Sequence, residues 1–295
     1  MIGSIKKILF TGSLKDQYLS ELIVDLSKTL NDENIDLYCF SQSNDQIDIP
    51  NVITIDEQRI SDMDLIVSIG GDGTMLQSSK LASKYSVPIT GINKGRLGFL
   101  TDINPELVSE ALQEIINGEY QVESRMLLDV KISNDENERF IGHAINDLVI
   151  NKTKTGRMIN VRTSINGKYV NSNEGDGYIV STPTGSTAYS LSCGGPIMNP
   201  NSDTFLLVPI APHTLTNRPM VISSDSIIKL EFTEENDDTI EISLDGEIIS
   251  EISGGDCIMI SRSKNTVEFI HPKPYDYYET LRSKLFWGRD QRNAK

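Results

Sequence analysis

The sequence lacks a long hydrophobic segment. The longest apolar stretch, residues 205–212, is far shorter than the roughly 20 residues that a membrane-spanning helix needs. Near the N-terminus, Lys6-Lys7 precede only a short apolar run with no small-residue cleavage site, so we interpret residues 5–10 as a first β-strand rather than a signal peptide. We therefore expect no association with a membrane.

Cysteine and positive charge are both scarce. The three cysteines, Cys39, Cys193 and Cys257, are far apart and form no CxxC pair, which favours a reducing, cytoplasmic location. Only 27 basic side chains oppose 42 acidic ones, and the net charge of −15 argues against nonspecific binding of nucleic acid or of an anionic membrane. An anionic substrate would therefore need basic groups or a metal ion gathered locally.

The common nucleotide-binding fingerprints are absent where a phosphate-type turn is expected. Gly70-Gly71-Asp72-Gly73-Thr74 follows the buried-strand pattern of residues 65–69, and it fits neither GxxxxGK[ST] nor GxGxxG. A glycine-rich turn before a helix, which we expect to begin at about Thr74, presents backbone N–H groups to a phosphate. Asp72 would repel that phosphate unless it holds a metal or takes a proton from a hydroxyl. A plain β-turn is the alternative interpretation.

The first third of the chain alternates between strand and helix patterns. This alternation predicts a parallel, doubly wound sheet, with ligands beyond the carboxyl ends of its strands, where Asp72 and residues 93–99 fall. A later helix is expected from Asn104 as cap to Gly118 as stop, with Leu107 in its buried face. The predicted strands are residues 5–10, 35–40, 65–69 and 87–92, and the predicted helices between them are residues 18–30 and 74–84.

After about Tyr120 the hydrophobic pattern alternates with period two and is interrupted by turn signals such as Asn166-Gly167. This predicts a β-sandwich-like domain of antiparallel strands. The predicted domains are residues 1–120 and residues 121–270, and an aromatic-rich tail, residues 271–295, is expected to pack back on the first domain. Polar hairpin tips are expected at residues 134–139 and 233–239.

Two further constellations lie in the β region. Asp176-Gly177 leads through a strand into the hydroxyl-rich run 181–190, in which a short helix is expected near Ser186 and Tyr189 could stack on a base. Asn146-Asp147 interrupts an otherwise strand-like run, which predicts a bulge or a functional insertion. The alternatives are a Ser/Thr-rich loop and a surface bulge without a ligand.

Together, these three motifs resemble those of the bacterial NAD kinases (the ATP-NAD kinase family). The resemblance extends from about Ile5 to Trp287 in matching order and spacing. GGDGT alone is shared with diacylglycerol and sphingosine kinases and, loosely, with phosphofructokinases, whereas the hydroxyl-rich motif is more specific. Supporting stretches are residues 91–93, 95–100, 194–196, 212–215 and 218–219.

The resemblance implies an enzyme that transfers a phosphoryl group from ATP to the 2′-hydroxyl of the adenosine ribose of NAD and makes NADP. It implies a divalent cation, Mg²⁺ in the first instance, a homo-oligomer such as a dimer or tetramer, and an α/β domain followed by a β-rich domain. Two alternatives remain: a kinase of another acceptor in the GGDGT superfamily, and a non-catalytic dinucleotide-binding regulator.

Carried over by position, the resemblance makes Asp72 the general base and Gly73 its neighbour in the nucleotide site. It assigns no protein ligand to the metal. Basic candidates for contacting the transferred phosphate are Lys94, Arg96, Arg157 and Arg218, and the sequence does not rank them. The residues expected to bind NAD are Asn146, Asp147, Arg157, Glu174, Asp176, Thr187, Ala188, Tyr189, Ser190, Leu191, Ser192 and Glu247.

Some of these positions depart from the family pattern. Asp147 stands where the family often has Glu, Glu174 where relatives often place a basic residue, and Glu247 where Gln is frequent. The last two add negative charge near a pyrophosphate, so we expect them to affect affinity and metal dependence more than the activity itself.

Overall fold

The computed structural model describes residues 3–12, 17–31, 34–40, 49–95, 97–133, 138–153, 158–232 and 239–287. The chain divides into two compact units, of which unit 1 comprises residues 1–124 and 267–295 and unit 2 comprises residues 125–266. Arg96, Arg157 and most of both expected polar hairpin tips lie outside the described residues.

The strands and the helices are numbered separately, each in chain order. The strands are β1 (Lys7–Gly12), β2 (Asp36–Cys39), β3 (Ile53–Thr54), β4 (Leu65–Ile69), β5 (Ile89–Ile92), β6 (Tyr120–Ser133), β7 (Glu138–Ala144), β8 (Asp147–Lys152), β9 (Ile159–Ile165), β10 (Lys168–Gly175), β11 (Gly177–Ser181), β12 (Thr204–Ile210), β13 (Met220–Ser223), β14 (Ile228–Phe232), β15 (Ile240–Leu244), β16 (Glu247–Ile252) and β17 (Cys257–Pro272). The helices are α1 (Gln17–Asn31), α2 (Asp72–Tyr85), α3 (Val108–Ile116), α4 (Tyr189–Ser192) and α5 (Tyr277–Lys284).

Unit 1 is built on a parallel sheet in the order β5-β4-β1-β2-β3. Every residue of β4 is buried, as expected for a strand covered by helices on both faces. Ile8 and Phe10 pack with α1 and α3, whereas the neighbouring Thr11 faces α2, where its hydroxyl lies 2.9 Å from that of Ser78. The predicted doubly wound α/β architecture is confirmed.

Two details of unit 1 differ from the sequence-based expectation. Helix α2 begins at Asp72 and not at Thr74, because Gly71 takes the extended cap conformation and the acidic Asp72 suits the first turn of a helix. Leu107 ends a 3₁₀ turn that precedes α3 and is 54% exposed, so it does not belong to the buried face of that helix.

Unit 2 contains two layers of antiparallel strands. One sheet has the order β13-β12-β11-β8-β15-β16, and the other layer contains β10-β9-β14, the first part of β17, and the pair β6-β7. Side chains from both layers form one core, which confirms the β-rich prediction. The two-residue turns Asn166-Gly167 and Asp245-Gly246 have positive φ at both positions, as tight hairpins require.

Of the two interpretations of Asn146-Asp147, a bulge or a functional insertion, the bulge is wrong. Strand β7 ends at Ala144 and pairs with β6, whereas β8 begins at Asp147 and pairs with β11 and β15. Residues 145–146 therefore connect strands of different layers, and the polar pair stands where the chain changes sheet.

The C-terminal segment of unit 1 includes the last part of β17, where Phe269 pairs with Ile89 of β5, and α5, where Leu281 is buried. Of the tail aromatics, Tyr278, Phe286 and Trp287 remain more than half exposed. None of the helices within the described ranges combines the length and the apolar content that a membrane crossing requires.

Candidate active site

Asp72 lies at the first position of α2, directly beyond the carboxyl end of β4. Its two carboxylate oxygens accept hydrogen bonds from successive backbone N–H groups: Oδ2 from Phe99 at 2.9 Å and Oδ1 from Leu100 at 3.0 Å. An ionised carboxylate has about four acceptor positions, so each oxygen keeps one for a further donor. The carboxylate is thus fixed in orientation yet still able to accept a proton.

Gly98 is needed for this arrangement. A Cβ atom at this residue would lie 2.1 Å from Oδ1 of Asp72 and 2.3 Å from Oγ1 of Thr101, distances that no side chain can occupy. The Gly98 N–H also donates to the carbonyl of Thr101 at 3.0 Å and closes the turn that presents the two donors. The glycine therefore allows the turn to approach the carboxylate closely.

The segment that carries this turn is anchored to the end of β5. The buried Asn93 side chain donates to the carbonyl of Ile103 at 3.0 Å and accepts from the N–H of Gly95 at 2.8 Å. The Ile103 N–H in turn donates to the carbonyl of Gly91. These bonds fold residues 93–95 and 97–103 back on the sheet edge, the position at which doubly wound sheets bind ligands.

In unit 2, the connection at Asn146-Asp147 is organised by the carboxylate of Asp245. It accepts the backbone N–H groups of Ile145 at 3.0 Å, of Asn146 at 2.7 Å and of Asp147 at 3.3 Å. The carbonyl of Asn146 accepts from the N–H of Thr182 at 2.9 Å, which attaches this connection to the hydroxyl-rich segment. The backbone of this connection is therefore fixed by hydrogen bonds both to Asp245 and to the hydroxyl-rich segment.

Asp147 is 4% exposed, and its burial, followed by the negative charge of Asp245, raises its pKa from 3.8 to about 7. Perturbed carboxyl groups of this kind are typical of functional sites. A hydroxyl or amino group of a ligand that donates a hydrogen bond to Asp147 would favour the ionised carboxylate and lower this raised pKa.

The hydroxyl-rich segment forms a 3₁₀ turn, Thr184–Thr187, followed by α4. Most of its hydroxyl groups bond within the segment rather than face outward: Ser186 Oγ donates to the carbonyl of Pro183 at 2.7 Å, and Ser190 Oγ donates to that of Gly185 at 2.8 Å. Ser190 is fully buried, so we expect it to affect NAD binding by shaping the turn and not by touching NAD. Gly185 is required because a Cβ there would lie 2.2 Å from the Asn146 carbonyl oxygen.

Tyr189 presents its ring at the surface of this segment and is 43% exposed. Partial burial raises its pKa, and the neighbouring charges of Cys193, Asp176 and Asp147 raise it further, which places these four side chains in one electrostatic environment. Burial and the charge of Asp147 likewise raise the pKa of the Cys193 thiol, while its hydrogen bond with Tyr189 lowers it. The structure thus brings together three of the predicted residues, with Cys193 beside them.

Asp176 follows β10 and forms an ion pair with Lys152 of β8. Glu174, two residues earlier, and Glu247, at the start of β16, are both exposed.

Of the basic candidates, Lys94 is exposed, and Arg218 donates to the carbonyls of Leu215 and Asn217. Arg157 and Arg96 lie outside the described residues.

Sequence reasoning missed Lys152, Cys193 and the carboxylate of Asp245. Asp245-Gly246 has the residue types of a tight turn, and no local pattern shows that the Asp245 side chain caps a connection 99 residues earlier in the chain. Lys152 lies in an ordinary strand pattern, and its ion-pair partner Asp176 lies 24 residues further along the chain, between β10 and β11. Such contacts depend on tertiary structure.

Comparison with protein families assigns both parts of the chain. Residues 20–120 match the ATP-NAD kinase N-terminal domain, and residues 145–272 match the ATP-NAD kinase C-terminal domain. The chain belongs to the ATP-NAD kinase family. It is 45% identical to the NAD kinase of Photorhabdus laumondii over 226 residues, 77% of each chain, and 42% identical to that of Shewanella loihica over 240 residues, 81% of this chain and 82% of the relative.

Solved structures show the same fold as this ATP-NAD kinase family member. Yeast NADH kinase in complex with NADH superimposes with a TM-score of 0.86 at 24% identity, covering 99% of this chain and 91% of the other. An NAD kinase from Archaeoglobus fulgidus in complex with ATP gives a TM-score of 0.69 at 25% identity, covering 94% of this chain and 98% of the other. The predicted family and fold class are confirmed.

Proposed function

We propose that this chain is an NAD kinase that transfers the γ-phosphoryl group of ATP to the 2′-hydroxyl of the adenosine ribose of NAD. The observation that carries the proposal is the carboxylate of Asp72, oriented by two backbone N–H groups in a chain of the ATP-NAD kinase family. The relatives named NAD kinase and the Archaeoglobus fulgidus enzyme bound to ATP support NAD and ATP as the substrates.

Asp72 takes the proton of the ribose hydroxyl in this proposal. As the hydroxyl oxygen bonds to the γ-phosphorus of ATP, its proton passes to the Asp72 carboxylate, the bond from that phosphorus to the bridging oxygen breaks, and ADP leaves. A positioned general base contributes roughly 10²–10⁴-fold to such a reaction. The larger contribution comes from aligning the substrates and neutralising the transferred phosphoryl group.

The unit 2 residues recognise the dinucleotide. Tyr189 supplies an exposed ring on which a base can stack, and Asp147 and Asp176 supply carboxylates that accept ribose hydroxyl or adenine amino protons. The ion pair with Lys152 holds Asp176 in place. The remaining expected NAD contacts, among them Glu174 and Glu247, belong to the same proposal.

The divalent cation enters, in our proposal, as part of the Mg–ATP substrate. Among the residues that the structure describes, no group of three His, Cys, Asp or Glu side chains could hold a metal ion. Mg²⁺ commonly keeps several waters and binds through substrate phosphates with one or two carboxylates, so a protein cage is not required. The cation would neutralise the phosphate charge that a protein of net charge −15 otherwise opposes.

We also propose a cytoplasmic homo-oligomer. The described cysteines Cys39, Cys193 and Cys257 are all free thiols, as in a reducing compartment. Apolar side chains are exposed on the edge strand β16, where Ile248 is 64% exposed and Ile249 is 41% exposed. Exposed apolar groups on an edge strand are typical of a surface that another chain covers. Light scattering coupled to size exclusion would give the number of subunits.

Product analysis tests the proposed function. The purified chain is incubated with NAD, ATP and Mg²⁺, the product mass is measured, and the product is offered to a dehydrogenase that accepts only NADP. We expect NAD plus one phosphate that this dehydrogenase reduces. Unphosphorylated NAD, or a phosphorylated product that is not reduced, would contradict the proposal. Parallel reactions with NADH as acceptor and inorganic polyphosphate as donor would measure both preferences.

A further inference from the structure

Unit 1 contains a buried cluster of ionisable side chains that the proposed reaction does not use. His271, at the end of β17, is 3% exposed, and its Nδ1 atom lies 2.7 Å from Oδ2 of Asp102. Its Nε2 atom lies 3.4 Å from Oε2 of Glu123, which is 4% exposed. The ring of Tyr275 stacks on the imidazole with centroids 3.7 Å apart. One histidine thus bridges two carboxylates inside the protein.

The cluster favours a protonated imidazole. Burial lowers the pKa of His271, but the hydrogen bond with Asp102 and the negative charges of Asp102 and Glu123 outweigh this effect and hold the pKa above its usual value. Among the charged groups near residues 98–101 is Lys284 of α5, whose ammonium lies 5.7 Å from the Phe99 ring centroid. Buried ion pairs contribute little to net stability, so a stabilising role alone does not account for three such groups.

The cluster is connected to the proposed general base by a short stretch of backbone. Asp102 directly follows Thr101, whose carbonyl closes the turn with the N–H of Gly98. That turn presents the N–H groups of Phe99 and Leu100 to the carboxylate of Asp72. The side chain of Asp102 therefore attaches the turn to His271 at a point two residues beyond the second donor.

We propose that His271 is a positioning residue for phosphoryl transfer. As an imidazolium between Asp102 and Glu123, it holds the turn at residues 98–101 in the position in which Phe99 and Leu100 orient Asp72. Because its folded pKa is raised, this contribution is complete at low pH and is lost as the pH rises through that pKa. The proposal rests on the proposed function, since it assumes that Asp72 is the base.

The first test follows the hydrogen bond itself and needs no activity. Protein labelled with ¹⁵N at its eight phenylalanines and with ¹³C at its three histidines is titrated by NMR, and Phe99 and His271 are assigned from Phe99→Leu and His271→Gln spectra. We expect the Phe99 amide proton to shift with the same midpoint as the His271 ring, and this step to be absent in His271→Gln. A Phe99 amide that ignores the His271 midpoint, or keeps the step in the variant, would overturn the proposal.

Kinetics provide the second test. We expect His271→Gln to lower kcat by about tenfold with the KM values for NAD and ATP within about threefold, because a misoriented base affects the chemical step. The alkaline fall of the wild-type kcat should share the His271 midpoint and disappear in the variant. An unchanged kcat, or a loss confined to KM, would contradict a positioning role.

A matched control is available in the other described His–Asp pair. His143 lies 2.6 Å from Asp129 in unit 2, and we expect His143→Gln to keep kcat near wild type. If His271→Gln does not fold, the His271 signal is assigned by elimination from the spectra of His143→Gln and His213→Gln, and the wild-type NMR titration decides the outcome. If wild-type protein phosphorylates no NAD, the proposed function fails, whereas the Phe99 titration still tests the link between His271 and the turn.

Discussion

Asp72 and Asp245 both accept hydrogen bonds from backbone N–H groups, and we propose different roles for them. Asp72 accepts two such groups and keeps acceptor capacity for a hydroxyl proton. Asp245 accepts three and thereby fixes the connection that carries Asp147. Asp245 uses more of its acceptor positions on the backbone than Asp72 does, and Asp72 is the one that we propose acts on a ligand.

Glu174 is expected to tune substrate affinity. It is exposed on β10, and a carboxylate near a pyrophosphate weakens ground-state and transition-state binding alike. We predict that Glu174→Arg lowers the KM for NAD or ATP and leaves kcat within about threefold. The effect should shrink at high ionic strength, because salt screens exposed charges.

Steady-state kinetics at low and high salt check this prediction. Glu110→Arg, the same exchange at an exposed residue of α3, is the matched control and should leave both KM values unchanged. Equal KM values for wild type and Glu174→Arg at low salt would show that Glu174 does not face the substrate.

Asp147 makes stability depend on pH. Its folded pKa of about 7 exceeds the unfolded value of 3.8, so the folded state binds more protons between these values and the free energy of unfolding falls as the pH rises through them. We predict that Asp147→Asn removes this cost. The quantity to compare is the free energy of unfolding of the variant minus that of wild type. We expect this difference to be about 1–3 kcal/mol larger at about pH 8 than at about pH 5.

Urea unfolding of both proteins at the two pH values measures this difference. Asp225→Asn, at an exposed aspartate before β14, is the control, and we expect its difference from wild type to be the same at both values. A pH-independent difference for Asp147→Asn would mean that Asp147 is already ionised in the folded protein.

At the scale of elements, helix α2 packs a hydroxyl-rich face on the sheet. Ser78 Oγ lies 2.9 Å from the hydroxyl oxygens of both Thr11 and Ser68, whereas the buried Ser79 Oγ has no hydrogen-bond partner among the described residues. A buried hydroxyl without a partner costs about 1–3 kcal/mol. Neighbouring serines on one helix therefore contribute in opposite directions.

We predict that Ser79→Ala raises the free energy of unfolding by about 1–2 kcal/mol, since it removes the unpaired hydroxyl and improves helix propensity. Ser78→Ala is the matched comparison and should lower it by about 1 kcal/mol, because it leaves the other two hydroxyl groups without this partner. Chemical denaturation measures both. A destabilised Ser79→Ala protein would show that its hydroxyl is paired, for example with water.

The turn at residues 98–101 is expected to tolerate no side chain at its first position. Gly98→Ala places a Cβ against Oδ1 of Asp72 and forces either the carboxylate or the turn to move. We predict a fall in kcat of about 10–100-fold with a folded protein, since misplacing a catalytic group by about 1 Å has effects of this size. Steady-state kinetics with a thermal-unfolding control measure it, and a kcat equal to that of wild type would contradict the assigned geometry.

The elements themselves were largely predictable, because hydrophobic periodicity is a local signal. Strands β1, β2, β4 and β5 and helix α1 appear where the patterns place them. The start of α2 was not predictable, because it depends on the cap conformation of Gly71. The connection at residues 145–146 was not predictable either, because it depends on which strands pair. The partners of Asp72, 27 and 28 residues along the chain, are likewise set by the fold and not by neighbouring sequence.

At the scale of the whole molecule, a protein with a net charge of −15 belongs to a family named for two anionic nucleotides. Composition alone disfavours anionic partners, whereas the motif resemblance, which the family comparison confirms, identifies them. We propose that groups at the site, such as the exposed Lys94 and the metal that accompanies ATP, offset the phosphate charge locally. Net charge describes the long-range field of a protein and not the chemistry of one site.

The turnover of Asp72→Asn tests the account most directly, measured beside wild type with NAD, ATP and Mg²⁺ and with NAD binding determined by calorimetry. The amide retains the shape of the carboxylate but cannot take the proton, so we predict retained folding, most of the NAD affinity, and a kcat lower by about 10²–10⁴-fold. A folded Asp72→Asn protein with the turnover of wild type would remove Asp72 from the role of general base and contradict the mechanism proposed here.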